Sequence, residues 1–186
     1  MVKLEVGPGH TKKKDCGYMF NPHYCPDYDV VYLDIKPPDF ECSRCYWIVA
    51  DAQNLPLRND AIDEMYAAHV IEHLEDPLRF LRECRRVLKR GGMVTIETPN
   101  FLSRNAYLDP DHKHTFNLIR LWRMIKKVGL KPHTPTLVGT LLPHKLRVIF
   151  KIFILLLSDT LIVLGEKHEG SCGTPFMEQS RWRRTS

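Results

Sequence analysis

Five short stretches of this sequence carry the residue types that do chemistry: Glu5-Val6-Gly7-Pro8-Gly9, Asp34-Ile35, Asp51-Ala52, His69 with Glu72-His73, and Asp109-Pro110-Asp111-His112-Lys113-His114. The first ends an apolar run on Gly-x-Gly. A strand that stops on such a turn bends sharply and presents backbone without a Cβ, so a ligand can lie directly on it. Asp34 follows after the interval, roughly twenty residues, at which a carboxylate accepts hydrogen bonds from both ribose hydroxyls and repels a 2′-phosphate. Asp51 can accept from an exocyclic adenine amine, with Ala52 leaving room for the ring. Each has a plainer reading alone: an ordinary strand-to-helix turn for the glycines, a strand-end cap for Asp34, a turn residue for Asp51.

Histidine is the side chain best able to take a proton near neutral pH, which makes His112 and His114 candidate general bases. The competing role for both is to cap the next helix or bind backbone, and Glu72-His73 reads as structural. A metal shared by His112, His114 and Asp111 has no further support, and no metal ligand is assigned. Cys42-x-x-Cys45 has the spacing of a zinc-binding thiolate pair, with Cys16 and Cys25 nearby, against the alternative of free thiols. Six cysteines without a secretory leader lead to the expectation of reduced thiols and a cytoplasmic location.

Positioning these residues falls to elements legible from periodicity. Apolar runs predict strands at 2–6, 30–35, 46–50, 62–67, 93–97 and 160–166, and a weaker one at 130–138. Helical spacing predicts helices at 77–89, closed by Gly91-Gly92, at 118–128, stopped by Gly129, and at 146–157. Residues 10–28, interrupted by Gly17, Pro22 and Pro26, read as an irregular loop. Such alternation implies an α/β fold, a mostly parallel sheet with helices on both faces, whose ligands bind beyond the carboxyl ends of the strands. Four of the five stretches fall at the end of a strand or just beyond it, and the fifth, 109–114, follows the strand at 93–97 after a longer connection.

The 186 residues suit one domain, 1–167, with a mobile tail at 168–186. A net charge of +5 is modest for this size, so nucleic acid is not indicated as a partner. The segment 141–157, apolar with Lys145, Arg147 and Lys151, either covers the sheet or makes peripheral membrane contact. Ser158-Asp159-Thr160 breaks the apolar run before it reaches the length of a membrane span. Nothing in the pattern speaks to oligomeric state.

Leu4 to Gly9, Tyr32-Leu33-Asp34-Ile35, Ala50 to Pro56, Ala68-His69-Val70-Ile71-Glu72-His73-Leu74 and Arg86 to Gly92, in this order and spacing, resemble class I S-adenosylmethionine-dependent methyltransferases of the type 11 group. The resemblance spans residues 3–167. It implies a Rossmann-like seven-stranded sheet whose antiparallel last strand, 160–166, slots between its neighbours, and S-adenosylmethionine as cofactor. Gly7, Pro8 and Gly9 would then bed the methionine part with Glu5 beneath. Asp34, with Ile35 beside it, would hold the ribose; Asp51 and Ala52 would flank the adenine, and His69 would line the cofactor floor. The implied activity is methyl transfer to a small-molecule or glycan-type acceptor, at oxygen, with His112 and His114 where this fold places acceptor-binding elements.

Two departures are expected. The loop at 10–28 is read in place of the usual first helix, and no helical extension is expected ahead of the first strand, so the cofactor's cover is expected from elsewhere. A nicotinamide dehydrogenase would share the glycines and Asp34, but His10-Thr11 stand where a third glycine would let helix and strand pack. The other alternative is a methyltransferase-fold binding module, zinc-containing or nucleic-acid-associated, that has lost catalysis.

Overall fold

The computed structural model describes residues 1–9, 29–37, 46–133 and 158–168. Seven strands, β1 (Val2–Val6), β2 (Asp29–Asp34), β3 (Tyr46–Val49), β4 (Ile62–Ala68), β5 (Leu88–Pro99), β6 (Lys131–His133) and β7 (Thr160–Glu166), form one sheet of order β3-β2-β1-β4-β5-β7-β6. β1 to β5 pair in parallel, and β7 runs antiparallel between β5 and β6. The order reverses between β1 and β4, which opens a crevice at their carboxyl ends.

Alternation along the strands separates the faces. Leu4, Val6, Leu33, Met65, Ala67, Val94, Ile96, Leu161 and Val163 are buried on one side. Against them pack two helices, α1 (Pro77–Val87) through Phe80, Leu81 and Cys84, and α3 (Leu118–Lys127) through Leu121 and Ile125. Cys84 is fully buried, and burial pushes its thiol well above the ordinary range, so it behaves as a small apolar residue. Both helices start on side-chain caps: Asp76 accepts from the Arg79 amide at 3.0 Å, with Pro77 following it, and Asn117 accepts from the Arg120 amide at 2.7 Å. The opposite face carries Val30 and Tyr32 beside Trp47 and Tyr66, with Tyr66 Oη donating to Glu97 Oε2 at 2.6 Å. Burial first, and the Glu97 carboxylate second, hold that phenol well above its ordinary pKa.

Gly91-Gly92 do not close the helix. α1 ends at Val87 and the chain extends directly into β5, whose register against β4 slips between Ile62↔Leu88 and Glu64↔Met93. The glycines sit inside that slip. Gly91 takes φ +75°, and a Cβ on Gly92 would stand 2.9 Å from the Asp63 and Lys89 carbonyl oxygens, so the bulge needs residues without side chains. Between β5 and α3 the structure adds a short helix, α2 (Asn105–Leu108), absent from the periodicity because one turn is too short to show it. Of the strand expected at 130–138, Lys131–His133 is seen as β6 and Leu130 precedes it; residues 134–138, the helix at 146–157, the loop at 10–28, all four cysteines of the zinc reading and nearly all of the 168–186 tail lie outside the described residues.

Candidate active site

Three backbone hydrogen bonds carry the strand ladders one residue past their ends and line up the crevice. Gly7 N donates to Leu33 O at 2.8 Å, Ala50 N to Asp34 O at 2.9 Å, and His69 N to Glu97 O at 2.9 Å. Gly7 sits at φ +69°, and a Cβ there would collide with Val70 Cγ2, so both conformation and close packing exclude a side chain. His69 takes φ +53° without being glycine, a strained conformation of the kind that persists where surrounding structure over-determines it.

The edge so formed holds a cavity of about 310 Å³ lined by Val6, Gly7, Leu33, Asp34, Ile35, Ala50, Asp51, Ala52, His69, Val70, His73 and Leu74. Six of the expected cofactor residues therefore meet in one place: Gly7, Asp34, Ile35, Asp51, Ala52 and His69. Pro8 and Glu5 are buried beside it, outside its lining, and Gly9 is tied to it by its amide, which donates to Asp34 Oδ2 at 3.0 Å. Lys36 N donates to Asp34 Oδ1 at 3.2 Å. Each oxygen of Asp34 keeps a lone pair, enough for two ribose hydroxyls. Asp51 is held by the Gln53 amide at 2.8 Å and the Gln53 side chain, which in turn accepts from Asp76 N at 2.6 Å. The donor set, the apolar walls and the volume fit an adenosyl group.

A second cavity, of about 470 Å³, adjoins the first and is lined by His69, His73, Pro99, Asn105, Leu108, Asp109, Pro110 and His112. His69 and His73 belong to both. His73 was assigned to structure by sequence, yet with Val70 and Leu74 it lines the first cavity, because the turn after β4 brings residues 69, 70, 73 and 74 to one side. Their one-, three- and four-residue spacing was the available signal.

Buried Glu72 clamps the loops around this chamber. Its Oε1 lies 3.2 Å from His69 Nδ1, its Oε2 accepts from Thr98 Oγ1 at 3.0 Å, and its carbonyl accepts from the amides of Lys113 and His114. Asn100, also buried, ties the end of β5 across to 158–159 through its amide and side chain. The two expected bases separate. His112, its side chain 8% exposed, faces the second cavity; its Nδ1 meets Ala106 O at 3.2 Å and its Nε2 lies 3.9 Å from Asp109 Oδ2. His114 turns Nε2 to Glu75 O at 3.4 Å and lines neither cavity. The set of three metal-capable groups that converges among the described residues is Glu72, His73 and His112, not His112, His114 and Asp111.

A sheet of this order with an adenosyl-sized chamber at its switch point is the Rossmann-like architecture of class I methyltransferases. A family model described as a methyltransferase domain matches residues 4–96, half of the chain, and the chain belongs to that family, the type 11 group of class I S-adenosylmethionine-dependent methyltransferases. It is similar to a Mycobacterium tuberculosis protein named as an S-adenosylmethionine-dependent methyltransferase, at 34% identity over 110 residues, 55% of this chain and 38% of that protein. It is also similar to a ubiquinone biosynthesis O-methyltransferase of Cereibacter sphaeroides, at 30% identity over 81 residues, 39% of this chain and 33% of that protein. The chain thus spans well under half the length of these curated relatives. Among solved structures, an S-adenosylmethionine-dependent methyltransferase from Archaeoglobus fulgidus shares the fold with a TM-score of 0.64, 18% identity, and coverage of 89% of this chain and 86% of that one.

Proposed function

We propose that this protein is an S-adenosylmethionine-dependent methyltransferase that methylates a hydroxyl oxygen of a small, ring-containing molecule. The observation that carries the reading is the pair of cavities with His69 and His73 as their common wall: the cofactor chamber opens onto a second, histidine-lined one. Pro99, Leu108 and Pro110 give that second chamber apolar walls, which suit a phenol or quinol ring better than the polyol of a glycan. The Cereibacter sphaeroides relative, named an O-methyltransferase, supports oxygen as the acceptor atom.

When bound, the sulfonium cofactor supplies an already activated methyl group. The protein's tasks are alignment and proton removal. Asp34 would hold the ribose and Asp51 with Ala52 the adenine, while the Gly7 turn admits the methionine part. A carbonyl can only accept, so the His112 Nδ1 that faces Ala106 O carries the hydrogen and leaves a lone pair on Nε2. That nitrogen takes the acceptor's proton, and Asp109 stabilises the resulting imidazolium.

Calorimetry with S-adenosylhomocysteine tests the cofactor half, and absence of saturable binding would sink it. Transfer of radiolabelled methyl to a panel of phenols, catechols, quinols and free sugars tests the acceptor half. Labelling confined to the sugars would move the reading to glycans.

A further inference from the structure

The chemistry above uses one histidine of the second chamber, but the fold sets another beside it in a matching pose. His73 Nδ1 faces the Asp111 carbonyl at 3.2 Å, as His112 Nδ1 faces that of Ala106 at the same distance. Both carbonyls force the hydrogen onto Nδ1, so both rings hold their lone pair on Nε2. The rings meet edge to face with centroids 4.7 Å apart. The carboxylate of Glu72, 1% exposed, completes the set: one donor atom from each of the three residues lies within 4.8 Å of the others.

We propose that Glu72, His73 and His112 form a binding site for a divalent transition-metal ion at the junction of the two chambers. Anchoring of one imidazole nitrogen on a backbone carbonyl is how ligating histidines are generally oriented, and here both rings have it. Glu72 is likewise pre-set by His69 and Thr98, and each of its oxygens keeps a lone pair. Donors around a tetrahedral ion at ~2.1 Å stand roughly 3.4 Å apart, so closure asks for shifts of little more than 1 Å. Asp109 Oδ2, 3.9 Å from His112 Nε2, is a fourth donor within reach. Two imidazoles and a carboxylate favour zinc, cobalt, nickel, iron or manganese over magnesium and calcium. His73 and His112 line the second cavity while Glu72 lies buried behind them, so an ion held by these three would keep a position open toward the cavity, the pattern of catalytic sites.

The consequence for chemistry rests on the acceptor reading, although metal binding itself does not. An acceptor hydroxyl bound to the ion loses its proton to bulk water and stays as the oxyanion, because the ion lowers its pKa as it does that of bound water. In the metal-loaded protein the ion would take over proton removal and His112 would serve as its ligand, while in the metal-free protein His112 keeps the role of base.

The test uses the full-length protein, stripped with chelator, exchanged into metal-free buffer and titrated with CoCl2 and with ZnCl2. One equivalent should bind, with cobalt d–d bands and no sulfur-to-cobalt charge transfer. His73→Asn and His112→Gln should each weaken binding by about 100-fold or more, beyond the 10–100-fold typical of losing an outer-shell partner. The double variant Cys42→Ser/Cys45→Ser should bind as the unsubstituted chain does. Circular dichroism and thermal unfolding report that each histidine variant is folded, and S-adenosylhomocysteine binding to the unsubstituted protein separates the two claims: cofactor binding without metal binding overturns this site and leaves the methyltransferase reading standing. Undiminished metal affinity in both histidine variants, or a thiolate charge-transfer band lost in the cysteine variant, overturns it as well.

Discussion

The two chambers are neighbours built by different means. The cofactor chamber stands on strand ends: Gly7, Ala50 and His69 are placed by the sheet's own hydrogen bonds, continued one residue beyond β1, β3 and β4, and Asp34 is the last residue of β2. The second chamber, the proposed acceptor site, stands on loops, held by Glu72, Asn100 and the backbone anchors of His73 and His112. A sheet edge is rigid because its ladder is cooperative and buried, whereas loop walls can be re-formed by a few substitutions. The difference would suit the proposed division, in which the first site always holds the same cofactor and the second sets the acceptor.

Substitutions should divide along that line. The largest expected effect is in the acceptor chamber. His112→Gln should lower kcat by about 10²- to 10⁴-fold, the usual yield of a positioned acid or base, while S-adenosylhomocysteine affinity stays within about 2-fold. If both fell together, the chambers would not be separable. Next comes Gly7→Ala, which meets both the left-handed backbone and Val70. It should weaken S-adenosylhomocysteine binding by about 100-fold in calorimetry, given ~1–2 kcal/mol of backbone strain alone plus the collision. Asp34→Ala removes charge-assisted hydrogen bonds worth ~1.5–3 kcal/mol, so a loss of about 10- to 100-fold is expected in the same titration. Unchanged affinity there would show that the ribose lies elsewhere.

A smaller effect tests the support beneath the cofactor chamber. Glu83 accepts from Arg86 at 2.7 and 2.8 Å and from Leu55 N at 2.9 Å, and Arg86 holds the carbonyls of Leu55 and Leu57, fastening the segment that follows Asp51-Ala52. The hydrogen bonds from Arg86 hold the Glu83 carboxyl below its ordinary pKa. A depressed carboxylate contributes stability that is full above its unfolded pKa, roughly 4.3, and is lost as pH falls through its folded value. Glu83→Gln should therefore cost about 2 kcal/mol near pH 7, a fall in Tm of about 4–8 °C, and the gap to the unsubstituted chain should narrow on acidification. A gap that widened instead would contradict the pairing. The smallest effect belongs to His114→Gln, which lines neither chamber and should change kcat by less than about 3-fold.

How much was legible in advance follows the same division. Gly7, Asp34, Asp51, Ala52 and His69 were readable because each follows an apolar run whose period marks a strand, and strand ends converge in a parallel sheet. Residues 109–114 offered no period. Both His112 and His114 stood as candidates, and the choice between them came from Glu72, whose carbonyl receives the amides of Lys113 and His114 and so fixes which ring faces inward. The closing role expected of Gly91-Gly92 failed for a related reason: a glycine pair after a helix looks alike whether it caps the helix or admits a bulge, and the partner strand decides.

The sequence by itself determined the strand-and-helix alternation, the residues at the strand ends and the family, since all three depend on local spacing and on short motifs in fixed order. Only the tertiary structure decided that His73 belongs to both chambers, that His112 rather than His114 lines the second one, and that ligand atoms of Glu72, His73 and His112 come within 4.8 Å of one another. Those facts depend on contacts between residues as far apart as 72 and 114, brought together by loop hydrogen bonds that leave no periodic trace in the chain.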